Sequence, residues 1–464
     1  MYAIDKPYDY LVPQELENTI APGMRVSVPF GRGNRRSEGL VLSLENGQPD
    51  RQLKQVESLL DGEPVLDAGM LRLAAFLRER YFCTFFDAVK AMLPSGLWFH
   101  ARDQVVLTAL GQSADLDQRL EKHPEALEVA KLLRDFGGQA REDVLRRLLS
   151  KETLEPGIQY LTKKKLAISE GTLIRNVGDK TEQVAALAVE PEEASAYAAT
   201  RTRAPLQKAV LEMLTVLGSC AVKELIYFTG ASGSTLKALE KAGYVALSQR
   251  ESFRRPSYSE TAGPMELNLN EEQTAAYQSV RETFGTGTVS LLYGVTGSGK
   301  TMVYLRLIED CLAAGKSALV LVPEIALTPQ LMATFMAQFG DRVAVLHSAL
   351  QAGQRYDEWK RIRSGNATVV VGTRSAVFAP LRSLGLIVVD EEHEHSYKSG
   401  MNPRYHAREV AIWRGRREQA PVVLGSATPA VESMYLARQG TYQLLTMEDR
   451  FGGRALPQVS LVDM

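Results

Sequence analysis

The chain holds 464 residues, 45% hydrophobic and 23% charged, an ordinary globular composition with room for about three domains. Its formal net charge of −1 excludes a globally basic nucleic-acid binder, so any nucleic-acid surface has to come from local clusters. Cys83, Cys220 and Cys311 form no C-x-x-C pair, which excludes a zinc ribbon or a disulfide framework and suits a reducing cytosol.

Residues 1–7 show no apolar signal-like core, and no apolar run approaches the roughly 18 residues of a membrane span. Residues 1–101 form a small α+β module. Residues 24–30 alternate in the strand manner and residues 39–44 read as a second strand. The basic turn Gly31-Arg32-Gly33-Asn34-Arg35-Arg36 joins them, and helical apolar spacing follows near residues 71–77.

Residues 102–175 and 176–262 read as a degenerate duplication. Helical periods at 126–136 and 142–149 lead into 159–168; later periods at 206–216 and 222–229 lead into 236–247. Each unit runs helix, helix, helix, then a β-rich tip, the order of a winged helix-turn-helix. The same pattern suits packing modules that never touch DNA. Residues 183–199 are rich in Ala and Glu and read as a connecting helix or linker; residues 252–264 read as a linker by composition.

Residues 263–464 alternate β and α elements, with strands expected at 289–293, 317–322, 343–346, 367–371, 386–389 and 422–424. This is the pattern of a doubly wound parallel sheet. The chain as a whole is therefore multidomain, α+β followed by α/β. The first of these strands runs into Gly294-Val295-Thr296-Gly297-Ser298-Gly299-Lys300-Thr301, which fits G-x4-G-K-[ST]. Glycines let the backbone curl so that successive N–H groups face phosphate oxygens, and the helix that follows adds its positive end. Lys300 suits the β/γ-phosphates and the Thr301 hydroxyl suits Mg²⁺.

Residues 386–389 form an apolar run that ends in Asp390-Glu391-Glu392-His393. Ligands of parallel sheets sit at the carboxyl ends of the strands, which brings Asp390 beside the phosphates to order Mg²⁺. Glu391 is then placed to orient or deprotonate a water. His393 and His395 lack the H-E-x-x-H spacing of a helical zinc site.

The order of these motifs resembles superfamily 2 nucleic-acid helicases. Gln273, in Leu269-Asn270-Glu271-Glu272-Gln273, stands where such proteins place an adenine-reading glutamine. Residues 322–330 resemble motif Ia. Residues 371–376, with Thr373 and Arg374, resemble motif Ib, and residues 424–429, with Ser426 and Thr428, resemble motif III. The resemblance implies one RecA-like lobe in which Lys300, Asp390 and Glu391 are catalytic. Gln273 and residues 294–301 would bind ATP, Thr301 and Asp390 would hold Mg²⁺, Thr373 and Arg374 would track DNA, and Ser426 and Thr428 would couple the two ligands.

A finer similarity is to the PriA family of replication-restart helicases. It is carried by Asp390-Glu391-Glu392-His393, by Ser396-Tyr397-Lys398, and by Arg404-Tyr405-His406-Ala407-Arg408. It implies an aromatic and arginine-rich loop in which Arg404, Tyr405 and Arg408 meet DNA and signal to Glu391. Pro7-Tyr8-Asp9-Tyr10 and Val28-Pro29-Phe30-Gly31 are similar to that family's pocket for a nascent 3′ end. Carried over, the pocket residues are Tyr8, Asp9, Tyr10, Gly31 and Lys54.

The family implies a bacterial, cytoplasmic, nucleoid-associated monomer acting on forks, D-loops and single-stranded DNA. Primosome and single-strand-binding proteins would be its partners and no membrane is implied. Relatives begin with a strand not evident before Lys6, and continue into a cysteine-rich zinc region and a second lobe with its γ-phosphate arginines. The expectation is an N-terminal portion with zinc ligands only in the part not present here. The rivals are a non-motor ATP- and fork-binding module or another superfamily 2 translocase.

Overall fold

The computed structural model describes residues 5–31, 34–47, 52–113, 115–175, 177, 179–255 and 263–450. The chain divides into two compact units, Met1–Asn176 with Tyr258–Met464, and Val177–Ser257. Among the described residues no helix is long and apolar enough to cross a membrane.

The larger unit contains a parallel sheet that, among the described residues, has seven strands. Their order is Val343–Leu346, Val369–Gly372, Ser317–Leu321, Leu384–Asp390, Val422–Ser426, Val289–Gly294 and Gln443–Met447. The central strands are continuous apolar runs because helices cover both faces. Leu291, Leu319, Val370, Ile387 and Val423 are all fully buried. The six strands expected from apolar runs form within about two residues of their expected ends. The seventh, Gln443–Met447, has no such run. It is an edge strand whose side chains alternate in burial, and Leu444 is exposed.

In the amino-terminal part of this unit, Arg25–Phe30 and Arg35–Leu40 form an antiparallel hairpin, and Ser58–Leu59 pairs with the first strand. The second strand thus starts at Arg35, earlier than the expected 39–44. Its register pairs Phe30 with Arg35 and Pro29 with Arg36, which leaves only a short turn. The charged side chains are accommodated by ion pairs, Arg36 with Glu57 at 3.1 Å and Glu38 with Arg25 at 3.0 Å. Arg25 is 1% exposed and also donates to Asp61 and to the Leu97 carbonyl. A buried charge needs such full satisfaction. Within the basic turn, Arg32 and Gly33 lie outside the described residues.

Helices Ala68–Tyr81 and Phe85–Met92 follow. Asp67 caps the first, and a Thr84/Asp87 capping box starts the second.

Two modules share one element order, strand, helix, helix, strand, helix, helix, strand. The first is framed by Phe99–Leu107 and Ala167–Arg175. The second is framed by Thr181–Leu187 and Val245–Glu251, and Val177–Ser257 is a compact unit of its own. Each has its own core: Val129, Leu133, Leu145 and Leu161 in the first, Leu211, Leu214, Leu225 and Leu239 in the second. The stretch 183–199 is neither linker nor single helix. It supplies the framing strand Thr181–Leu187 and the helix Pro191–Thr200, because Val184 and Ala185 are buried in the sheet and Pro191 starts a helix. In the expected linker 252–264, residues 256–262 lie outside the described residues.

Candidate nucleotide site and DNA-facing loops

The strand Val289–Gly294 ends in the phosphate loop. Gly297 and Gly299 both have φ +83°, a left-handed backbone that favours glycine. A Cβ on Gly294 would lie 2.7 Å from Ser298 Oγ and 3.2 Å from Met447 Cβ. The helix Lys300–Ala313 has no side-chain cap, so its first N–H groups remain for an anion. Ser298 Oγ is buried and has no hydrogen-bond partner among the described residues. Lys300 is 8% exposed, and its Nζ donates to the Gly294 carbonyl at 2.8 Å, across the loop.

Asp390 ends its strand beside Gly425 in register, and Gly425 belongs to the strand between Asp390 and the phosphate loop. Its Oδ1 accepts from the Tyr304 hydroxyl at 2.9 Å, and its backbone carbonyl accepts from Tyr397 Oη at 2.6 Å. Burial pushes the Asp390 carboxyl up to about 6. The Tyr304 bond opposes the rise, the Glu391 charge adds to it, and Lys300 opposes it. A buried carboxylate feeling the charge of Lys300, beside an uncapped helix start, is a donor set that fits Mg²⁺ with nucleotide phosphates. Thr301 and Asp390 are the residues that would hold the ion.

Glu391 has φ +45°, a left-handed backbone just past the end of the strand. His393 Nδ1 lies 3.7 Å from Glu391 and 2.8 Å from Ser426 Oγ, and its Nε2 lies 3.3 Å from Thr428 Oγ1. His393 therefore joins the acidic motif to both hydroxyls of Ser426-Ala427-Thr428. This role escaped sequence reasoning, which weighed the histidine only as a metal ligand. His395 is exposed, and no cluster of three or more metal-ligating side chains forms among the described residues.

Three expected site residues are placed otherwise than the motifs suggest. Gln273 is fully buried. Its Nε2 donates to the Ser298 carbonyl at 2.9 Å and its Oε1 accepts from Asn270 N–H at 3.0 Å, so neither end faces a ligand; it ties the phosphate loop to a helix start. Tyr405 is 5% exposed and meets Phe378 edge-on at 4.8 Å, which leaves no face for a base. Arg408 points inward to Glu392 and Ser433, and Glu392 also accepts from Ala430 N–H at 2.7 Å. Its guanidinium neutralises a carboxylate that is 0% exposed.

Thr373 is also buried, with its N–H on the Leu346 carbonyl. Arg374 donates to the carbonyls of Ser396 and Lys398 and so braces the aromatic loop. Arg404 is exposed.

The five expected end-pocket residues lie together. The Tyr8 ring, 54% exposed, meets Phe30 edge-on at 5.3 Å. Tyr10 donates to the Pro29 carbonyl at 3.3 Å, and Lys54 Nζ donates to the Gly31 carbonyl at 2.6 Å. Leu11 N–H donates to the Lys54 carbonyl, which holds the Tyr8–Tyr10 segment, with exposed Asp9, against this edge. Gly31 has φ +71°.

The end-pocket module is fastened to the aromatic loop within the same unit. Tyr81 Oη donates to Glu409 at 2.8 Å and accepts from His406 N–H at 3.3 Å. Asn402 donates to Asp87 at 2.9 Å, and Phe76 stacks on Trp413 at 5.0 Å.

A phosphate loop and an acidic strand end on one parallel sheet define a RecA-like lobe of the helicase class. Two family models match: a 3′DNA-binding domain over residues 1–94 and a DEAD/DEAH box helicase over residues 270–436. The chain is 38% identical, over 99% of its length and 56% of the relative's, to the replication restart protein PriA of Bacillus subtilis (strain 168). It is 34% identical to that of Synechocystis sp., over 98% of its length and 55% of the relative's. It thus spans about half the length of the curated relatives it matches. Among solved structures it resembles RecG bound to a three-way DNA junction, at a TM-score of 0.31 and 25% identity, covering 41% of this chain and 25% of that one. Over nearly its whole length the chain is thus similar to replication restart proteins PriA, with a 3′DNA-binding domain match at its start and a DEAD/DEAH box helicase match further on.

Proposed function

We propose that the chain serves an ATP-dependent 3′→5′ DNA helicase of replication restart, which recognises stalled or repaired forks and D-loops and begins primosome assembly. Its parts are a 3′-end module (1–101), two winged-helix-like modules (102–175 and 176–262) and a nucleotide lobe (263–464). Lys300 neutralises the β/γ-phosphates, Thr301 and Asp390 hold Mg²⁺, and Glu391 orients the attacking water. His393 passes the state of that site to Ser426 and Thr428. Bound ATP·Mg²⁺ supplies the phosphoryl group. Forks, D-loops and single strands are its nucleic-acid ligands, and primosome and single-strand-binding proteins its protein partners. It works as a monomer in the bacterial cytoplasm at the nucleoid.

The observation that carries this reading is that the Tyr8-Asp9-Tyr10, Gly31 and Lys54 cluster shares a compact unit with the nucleotide lobe. Asp9 accepts a hydrogen bond from a terminal 3′-hydroxyl. A 3′-phosphate removes that donor and sets an anion against the carboxylate. Losing a charged hydrogen bond costs about 1.5–3 kcal/mol, roughly ten- to a hundredfold in affinity. Fork binding is measured with nascent ends carrying hydroxyl or phosphate, using the wild type and Asp9→Ala. The wild type should prefer the hydroxyl fork and the variant should narrow the gap. Equal wild-type affinity for both ends would overturn the pocket assignment.

A further inference from the structure

Tyr304 lies one helical turn after Lys300 on the helix Lys300–Ala313, so the two project from neighbouring points of one helix face. Only 2% of it is exposed. If packing were its sole duty, phenylalanine would fill the same volume without burying a hydroxyl. A buried hydroxyl needs a partner, and Asp390 Oδ1 supplies it at 2.9 Å.

The neighbouring strand is shaped around this contact. A Cβ on Gly425 would lie 1.7 Å from Tyr304 Oη, so any larger residue would drive the phenol away. Gly425 pairs in register with Asp390 on one side and Leu292 on the other. The phosphate-loop helix, the acidic strand and the strand leading to Ser426 therefore meet at one hydroxyl.

We propose that Tyr304 is a positioning residue for Asp390, fixing the carboxylate plane so that its other oxygen meets the hydration shell of a nucleotide-bound Mg²⁺, and that Gly425 is the gap this requires. The inference rests on the nucleotide-site reading above. A restrained carboxylate loses less rotamer freedom when the ion arrives, and partners lying behind a ligand commonly matter 10–100-fold in metal affinity.

The test uses a fluorescent, non-hydrolysable ATP analogue and reads its affinity as Mg²⁺ is titrated. In Tyr304→Phe the Mg²⁺-free affinity should equal that of the wild type, while the Mg²⁺ midpoint rises about tenfold. A merely structural residue would lower both affinities together, or neither. Gly425→Ala should raise the midpoint by another route and also lower the melting temperature. Adding Tyr304→Phe to Gly425→Ala removes the 1.7 Å contact and leaves the ring carbon at 3.0 Å, so the melting temperature should partly recover while the midpoint stays high. A wild-type midpoint in Tyr304→Phe overturns the inference even though Lys300→Ala abolishes analogue binding. Wild-type binding by Lys300→Ala overturns the nucleotide-site reading itself, and this inference with it.

Discussion

Glu391 combines a polar, half-buried side chain with a left-handed backbone at φ +45°. For a residue with a Cβ, that conformation costs on the order of 1–3 kcal/mol. Here it turns the chain sharply just after Asp390, so adjacent carboxylates serve different neighbours. Glu391→Gly should unfold at or above the wild-type temperature, because glycine accepts the same φ. Glu391→Val should lose about 1–3 kcal/mol, because a β-branched residue fits that region worst. Thermal denaturation of the pair checks the strain; equal melting temperatures would refute it.

His406 gives the chain a separate pH response. Burial lowers its imidazole to about 4. The charges of Arg408 and Lys398 add to that, and Glu409 and Glu392 oppose it. Its Nδ1 is buried with no hydrogen-bond partner among the described residues. Because the folded value lies below the unfolded one of about 6.5, the folded state resists protonation. The contribution of His406 to stability is therefore full above about pH 6.5 and is lost as pH drops from there towards 4. Urea midpoints measured across that interval should fall less steeply in His406→Asn than in the wild type.

Among elements, what could be read from sequence was what is contiguous. The strand, glycine loop and helix around Lys300 are one unbroken stretch, and the apolar run ending at Asp390 announces a strand buried on both faces. The edge strand Gln443–Met447 was invisible because alternating burial leaves it no apolar run. It nevertheless braces the phosphate loop. Val295 N–H donates to the Met447 carbonyl at 3.2 Å, and Met447 is 1% exposed. Met447→Ala should cost about 2–5 kcal/mol in stability. Chemical denaturation gives that cost, and titration with the nucleotide analogue should show weaker binding as the loop loses its support.

The tyrosines of the site were illegible for a different reason. Tyr304 and Asp390 are 86 positions apart, and Tyr81 and Glu409 are 328 apart, so no local pattern marks either pair. Arg408 and Tyr405 misled in the opposite sense. Arginine and aromatic residues in a loop suggest stacking on bases, but burial next to Glu392 and Phe378 depends on chain segments that the loop itself does not contain.

At the scale of the whole chain, the junction around Tyr81 joins the module that holds Tyr8, Asp9 and Tyr10 to the helix Ala407–Glu418, which carries Arg408. From Arg408 the connections run through Glu392 to Ala430, just beyond Thr428. Energetic coupling between sites is reciprocal. If a 3′-hydroxyl end tightens the grip on nucleotide through this junction, nucleotide must sharpen the choice of end by the same factor. Tyr81→Phe removes the hydroxyl that Glu409 and His406 share while keeping the ring. It should leave each ligand's affinity measured alone unchanged, and it should abolish the dependence of nucleotide-analogue affinity on the 3′ end. Persistence of that dependence in the variant would show that the signal takes another route.

If the proposed end pocket and nucleotide site are coupled in this way, the junction at Tyr81 would have the logic of a coincidence detector. A free 3′ end without nucleotide, or nucleotide without an end, satisfies one input. On that premise only the two together would commit the chain, and a response to DNA that offers no 3′ end would be suppressed by the same few side chains that hold the modules together.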